Sequence, residues 1–450
     1  MFARAASCDV TPRDLAVRLA GYASRRTPPA RVLDPIEISA LLLEDGGRRC
    51  VIFSFDLMIV GAELAATIRA RLQGRGFQPD DILLLASHTH SAPATDQACV
   101  NLGVPDRKTV EALAEAADDL MGRMEGQQAS EIELSLFQGL MNHSINRRRY
   151  WPFPTVGRTY GFRLTSFSMA PNPRGPVDER ATVALLRRAK DDKPIAVLWH
   201  YTCHPTAVVP ENVISADYPG IIRRTLRERF GDIPCIFVQG FCGDIRPNMA
   251  SSRRPGWRER LQQAVRRLVS GPGFAACTAE DWSRWSQSMA ARMNGVLDAR
   301  PTPLPTGHLQ SGAASLGLDA FFSGSKPDKD LSIQVVRIGE RLEIIAVSAE
   351  VTVPWQGILD TALPSADGVI RLHAGYAGAL FGYLPTAAQV AEGGYEVEGF
   401  QPLFGLSGHF EAVRIEAAVI GCLRDAFQDM DSRANRSEPL ALATDAREHR

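Results

Sequence analysis

Lysine is almost missing from this chain of 450 residues: five of its 50 basic residues are lysine and the rest are arginine. That skew reads as the codon bias of a GC-rich genome, not as function. Excess charge is missing too. The 50 basic residues meet 51 acidic ones, for a formal net charge of -1. No overall field then steers the chain to nucleic acid or to an anionic membrane. No apolar run approaches the roughly 20 residues that a membrane-spanning helix needs. The start, Met1-Phe2-Ala3-Arg4-Ala5-Ala6-Ser7-Cys8, has no apolar segment of the kind that forms a signal peptide. The eight cysteines are scattered with no CxxC pair, so free buried thiols are expected. Together these absences point to a cytoplasmic protein with no nucleic-acid partner and no transmembrane segment. Nothing in the composition opposes a homo-oligomer.

What is present is ordinary globular material: 45% hydrophobic and 22% charged residues. That supports a large core and excludes disorder, collagen and coiled coil. At roughly 150 residues per domain, the length suggests about three domains, or one large domain with insertions.

Several stretches share one design, an apolar run that stops at polar, chemically capable residues. Cys50 to Phe55 ends at Asp56, and Asp81 to Ser87 ends at His88-Thr89-His90. Pro194 to Trp199 runs into His200 and His204, Pro234 to Gln239 into Gly240-Phe241-Cys242-Gly243-Asp244, and Leu342 to Ala349 into Glu350. Such runs suit strands buried on both faces. Helical spacing lies between them, over Ala62–Leu72, Asp106–Met124, Pro219–Phe230, Trp257–Val269 and Ala279–Leu297. Strands alternating with helices imply an α/β sheet covered on both faces. In such sheets the site lies beyond the carboxyl ends of the strands, where these polar residues stand. The Pro, Gly and Ser-rich segment from Pro301 to Asp330 reads as a connection into two further strands, Leu331–Gly339 and Arg341–Ser348. The polar stretch from Asp431 to Arg450 reads as a loose tail.

The chemistry-bearing residues admit more than one use. On a strand, His88 and His90 would point to the same face. They could ligate one metal, divide metal and substrate between them, or simply be hydrogen-bonded at a strand end. Asp217 or Tyr218 would cap the helix that starts near Pro219. His200 reads as a packing or supporting residue. Glu350, a carboxylate after an apolar run, fits a metal ligand, a general base or a buried ion pair. Tyr383 and Tyr395 read as loop tyrosines. Gly240 to Asp244 resembles a nucleophile elbow with Cys242 in place of serine, which would allow a cysteine hydrolase using His204 or His88 as base.

An ordered set of motifs then narrows the field: Asp9-Val10-Thr11-Pro12, Ala20-Gly21-Tyr22, Ser54-Phe55-Asp56-Leu57, Ser87-His88-Thr89-His90-Ser91-Ala92-Pro93, Ile145-Asn146-Arg147, Cys203-His204-Pro205-Thr206, Ser215 to Gly220, and Gly243 to Asn248. From about residue 5 to about residue 425 the chain resembles the catalytic domain of the neutral/alkaline non-lysosomal ceramidases, in particular the shorter bacterial members. The resemblance implies a large mixed sheet covered by helices, and a catalytic Zn²⁺ that serves hydrolysis of an N-acyl amide. By position in the motifs, it implies His88, His204, Glu350 and Tyr383 as metal ligands. It implies His90, Arg147 and Tyr395 as residues that contact a small acylated substrate. The domain would span 1-430, with no room for the C-terminal immunoglobulin-like domain of the longer members. Imidazole and carboxylate ligands suit zinc better than magnesium, and zinc lowers the pKa of its water from 15.7 to about 7.

The chain also departs from the family pattern. Ala92 replaces a glycine, Arg246 replaces a serine, and Arg147 is followed by Arg148 and Arg149. The arginines are expected to gather at the metal and to favour a substrate more polar or anionic than ceramide. Arg246 also leaves open a zinc esterase or lactonase, or a binding protein without catalysis.

Overall fold

A computed structural model describes residues 1–157, 161–209 and 212–436. Four of the five apolar runs become the parallel ends of one sheet, which has nine strands among the described residues. Its order is Cys235–Gln239, Pro194–Tyr201, Arg180–Arg188, Ser130–Leu140, Phe2–Asp9, Glu37–Asp45, Arg48–Phe55 and Ile82–Ala86. The short strand Thr302–Leu304 pairs with Ser130–Leu140 off this path. The pairs at the two ends are parallel, and those between are antiparallel. The sheet curls until its ends approach. The Ser54 hydroxyl, near the end of Arg48–Phe55, donates to the Phe237 carbonyl at 3.0 Å and accepts from the Phe237 amide at 3.2 Å.

A second sheet, ordered Leu309–Gly317, Asp330–Ile338, Leu342–Val347 and Ile370–Ala374, lies against both ends of the first. The bridges Gly240 to Ala374 and Leu85 to Ala377 join them. Three strand ends, at Ala86, Gln239 and Val347, therefore converge, and each opens into one of the motifs. Helices cover the outer faces. Asp106 caps Arg107–Glu125 by accepting from the Thr109 amide, and a Thr278–Asp281 capping box starts Ala279–Leu297. The latter buries Trp282, Trp285, Met289 and Met293 in the core.

The segment expected to be a connection, from Pro301 to Asp330, instead contains the strands Thr302–Leu304, Leu309–Gly317 and Phe322–Ser325. Its small residues serve packing. A Cβ on Gly312 would overlap the backbone of Ala426 and Met430 in the helix Ala412–Arg436, so only glycine lets that helix lie on the strand. Residues 431–436 of the expected tail complete this helix, and the remainder lies outside the described residues. All eight cysteines are free. No described helix is long and apolar enough to cross a membrane.

His200 is buried on Pro194–Tyr201, with its Nε2 3.3 Å from the His373 carbonyl. It therefore supports packing, as its sequence position suggested. Burial pushes its pKa down to about 4, against the pull of Asp178. An unfolded histidine takes up its proton near 6.5. The unfolded chain therefore binds the proton first. This stability is fully present above pH 6.5 and is lost as the pH falls towards 4. Over that window we expect the wild type to lose about 3 kcal/mol that His200→Gln does not lose, as read from urea unfolding at a series of pH values.

Candidate metal centre

His88 is the first residue brought to the centre, by a different route from the one expected. The strand ends at Ala86, and His88 adopts a left-handed backbone, φ 66°. Alternation along a strand therefore does not align His88 with His90. The left-handed residue does, by turning the chain back. Such a conformation is costly outside glycine, and surrounding contacts must hold it. The His88 amide donates to the Leu57 carbonyl at 2.8 Å. Its ring lies 4.0 Å, centroid to centroid, from that of Tyr376, itself at φ 61°.

His204 arrives from the other parallel end, three residues beyond Tyr201. Asp217 fastens its loop. One carboxylate oxygen accepts from the Tyr218 amide at 2.6 Å and caps the helix Tyr218–Phe230, while the other accepts from the Ala207 and Val208 amides at 2.9 and 3.1 Å. Burial nevertheless pushes the Asp217 carboxyl up to about 7.

The three imidazoles converge. His90 Nε2 lies 3.4 Å from His88 Nε2 and 3.2 Å from His204 Nε2. His88 Nδ1 is 2.7 Å from the Met58 carbonyl, and His204 Nδ1 is 3.2 Å from the Cys242 carbonyl. A carbonyl can only accept, so each Nδ1 carries the proton and each Nε2 presents its lone pair to the centre. His90 has no such tether, and its buried Nδ1 has no hydrogen-bond partner. Burial, then the neighbouring His88, hold the His90 and His204 rings neutral, well below the usual histidine range. Gly21 packs against the His90 ring at φ 111°, where a Cβ would overlap the imidazole, which accounts for the glycine of the Ala20-Gly21-Tyr22 motif.

Glu350 closes the fourth side. Its Oε2 lies 3.3 Å from His88 Nε2, is buried and has no hydrogen-bond partner. Among the described residues no arginine is paired with it, which speaks against the ion-pair alternative. Asp244 fixes the Glu350 strand by accepting from the Val353 amide at 2.8 Å. Gly243 passes so close that a Cβ would stand 2.6 Å from the Glu350 carbonyl. Tyr383 pairs with Glu350 in a parallel ladder. Its hydroxyl accepts from Arg147 Nη2 at 3.1 Å.

Arg147 is buried, with its guanidinium carbon 5.5 Å from the Tyr383 ring centre and 5.4 Å from that of Tyr395. Its Nε donates to Glu396 at 2.8 Å. Burial pushes the Tyr395 phenol up to about 12, so it stays protonated. The other arginines divide. Arg148 pairs with the opposite oxygen of Glu396 at 2.7 Å and with Glu392 at 2.9 Å, and exposed Arg149 donates to the Pro171 carbonyl. The expected gathering of arginines at the metal thus fails for these two, because Glu396 and the chain direction draw them away. Arg246 stacks on Phe274, 4.9 Å from its ring centre.

Cys242 is no nucleophile elbow. A short strand, Ile245–Pro247, follows it instead of a helix. Its thiol is buried behind His204, 3.8 Å from Nδ1 and 3.1 Å from the Tyr376 hydroxyl, and burial raises its pKa. Asp56, the acid ending another strand, is an ion-pair partner of Arg223 at 2.7 Å. The sequence reading missed Glu396 and Tyr376. Adjacency of Glu396 to Tyr395 was the available signal for the first, and Tyr376 had none.

The donor set fits a zinc ion. Two tethered imidazoles present lone pairs, a third stands beside them, and a buried carboxylate oxygen lacks a partner. Neutral nitrogen donors with one carboxylate are the ligands zinc takes, and a ligand histidine commonly donates its other N–H to a carbonyl. Among the described residues, His88, His90 and His204 are also the group whose ligand atoms lie within 4.8 Å of one another.

The chain matches no protein-family model and no curated protein. It does match solved structures. The neutral ceramidase of Pseudomonas aeruginosa is similar over 99% of this chain and 76% of its own, with a TM-score of 0.71 and 17% identity. A ceramidase complexed with C2 is similar over 99% and 77%, with a TM-score of 0.68 and 16% identity. The mixed α/β architecture described above is therefore the ceramidase catalytic-domain fold.

Proposed function

We propose that this protein is a zinc-dependent hydrolase of N-acyl amides. Its substrate would be a small acylated compound, soluble or amphiphilic, other than ceramide itself. The observation that carries the reading is the pair of tethered imidazoles, His88 and His204, facing a buried Glu350 oxygen that has no partner. These three residues, with Tyr383, would hold the ion. Zinc bound there supplies Lewis acidity to a water and to the acyl carbonyl. His90 lacks the Nδ1 tether of a ligand and is the proton carrier. Its Nε2 takes the proton of the attacking water and returns it to the departing amine. Arg147, held by Glu396, directs its charge towards the oxygen on which negative charge develops, and the protonated Tyr395 hydroxyl adds a donor. The eight free cysteines suit a reducing compartment such as the cytoplasm.

The test is turnover of matched acyl amides and acyl esters by the purified chain, with and without a chelator. Chelator-sensitive release of the amine supports the reading. Exclusive ester turnover would replace it with an esterase, and absence of any chelator-sensitive turnover would leave a binding protein.

A further inference from the structure

The helix Trp257–Ser270 is inside out. At 100° per residue, Trp257, Leu261, Ala264, Val265 and Leu268 share one face. A surface helix normally turns such a face to the core. Here Trp257 is 71% exposed, Leu261 60%, Val265 54% and Leu268 75%. The opposite, polar face, with Glu259, Gln262 and Arg266, and with Arg267 at its edge, lines a cavity of about 720 Å³ shared with Arg246 and Phe274. A further exposed aromatic lies near the strand on which the helix packs. The helix packs on the strand Thr155–Gly157, and the neighbouring Phe153 is 57% exposed with its ring against Trp151.

Charge accompanies the stripe. Residues 253 to 267 hold six arginines, Arg253, Arg254, Arg258, Arg260, Arg266 and Arg267, against the single acid Glu259, within a chain whose net charge is -1. On the helix, Arg258 borders the apolar face on one side, and Arg260 and Arg267 border it on the other. An apolar face that carries tryptophan and leucine between margins of arginine is the pattern of a helix lying in the plane of a lipid surface.

We propose that the helix Trp257–Ser270 docks this protein on an anionic bilayer, with Trp257, Leu261, Val265 and Leu268 entering the headgroup boundary and Arg258, Arg260 and Arg267 meeting lipid phosphates. A second copy of the chain is the poorer occupant. The stripe is about 21 Å long and 10 Å wide, roughly 200 Å² a side, against about 800 Å² per partner in a stable interface. Self-pairing would also set its arginine margins against each other. Docking does not rest on the hydrolase reading, but it would bring the Arg246 cavity beside the surface from which an amphiphile leaves. The neutral composition of the whole chain, which argued against an anionic membrane, conceals this local excess.

The test uses the full chain and co-sedimentation with two kinds of vesicle, pure phosphatidylcholine and phosphatidylcholine with about one-third phosphatidylglycerol. The wild type should partition into the anionic vesicles at least tenfold more strongly, and added salt should weaken it. The double variant Leu261→Asp, Leu268→Asp changes only exposed side chains and should keep the wild-type melting temperature while losing at least tenfold in partitioning. Replacing Arg258, Arg260 and Arg267 by Gln should abolish the preference for anionic lipid. Absence of wild-type binding, or binding that both variants retain, would overturn the proposal. So would a wild-type dimer in sedimentation that the double aspartate variant converts to monomer.

Discussion

His204→Ala is expected to lower turnover of an N-acyl amide by about a thousandfold, the rate equivalent of roughly 4 kcal/mol of lost metal assistance. The imidazole stands at a crossing of constraints. Its Nδ1 is tied to the Cys242 carbonyl at 3.2 Å, its Nε2 faces His90 at 3.2 Å, and its loop is fastened by Asp217. Removing the ring takes one donor from the centre and leaves the loop contacts in place, because the Ala207 and Val208 amides still reach Asp217. The fold should therefore survive, with an unchanged circular dichroism spectrum. His90→Ala should behave differently. If His90 carries the proton and is not a ligand, kcat should fall about a hundredfold or more with bound metal retained. Measuring metal content beside kcat separates the two roles.

Glu396→Ala is expected to destabilise the protein by about 3–5 kcal/mol, the cost of removing one partner from a buried ion pair. Glu396 accepts from Arg147 at 2.8 Å with one oxygen and from Arg148 at 2.7 Å with the other. All three side chains are buried. Without the carboxylate, two guanidinium groups would face each other in a dry environment, and Arg148 would keep Glu392, the Gly393 carbonyl and the face of the Phe167 ring. Arg147 would also lose the contact that places it on Tyr383 and between the two tyrosine rings. Chemical denaturation should show the loss of stability. Any folded fraction should show a lowered kcat, because the charge aimed at the carbonyl is no longer fixed.

Much of the centre was legible because strand ends are legible. The apolar runs before His88, His204, Cys242 and Glu350 marked the four places where chemistry could begin, and the curled sheet draws them together. The antiparallel strands Phe2–Asp9 and Ser130–Leu140, which lie between them, are mixed in polarity and gave no comparable signal. Leu309–Gly317 looked like a linker for a sound physical reason: the small residues that allow close helix packing are the same ones that make loops. The convergence of His88 with His90 depends on one left-handed residue, which no periodicity announces. Arg148 was misplaced because its partner lies 248 residues away in sequence. The cap at Asp217 was legible from local sequence, but its hold on the His204 loop was not. That hold depends on where the loop lands.

The central claim is that His88, His204 and Glu350, with Tyr383, are a zinc site. Elemental analysis of the purified full chain, beside the His204→Ala variant, tests it most directly. One zinc per wild-type chain, lost in a variant that remains folded, is the predicted result. A wild-type chain that takes up no stoichiometric metal, even after incubation with excess zinc, would contradict the account.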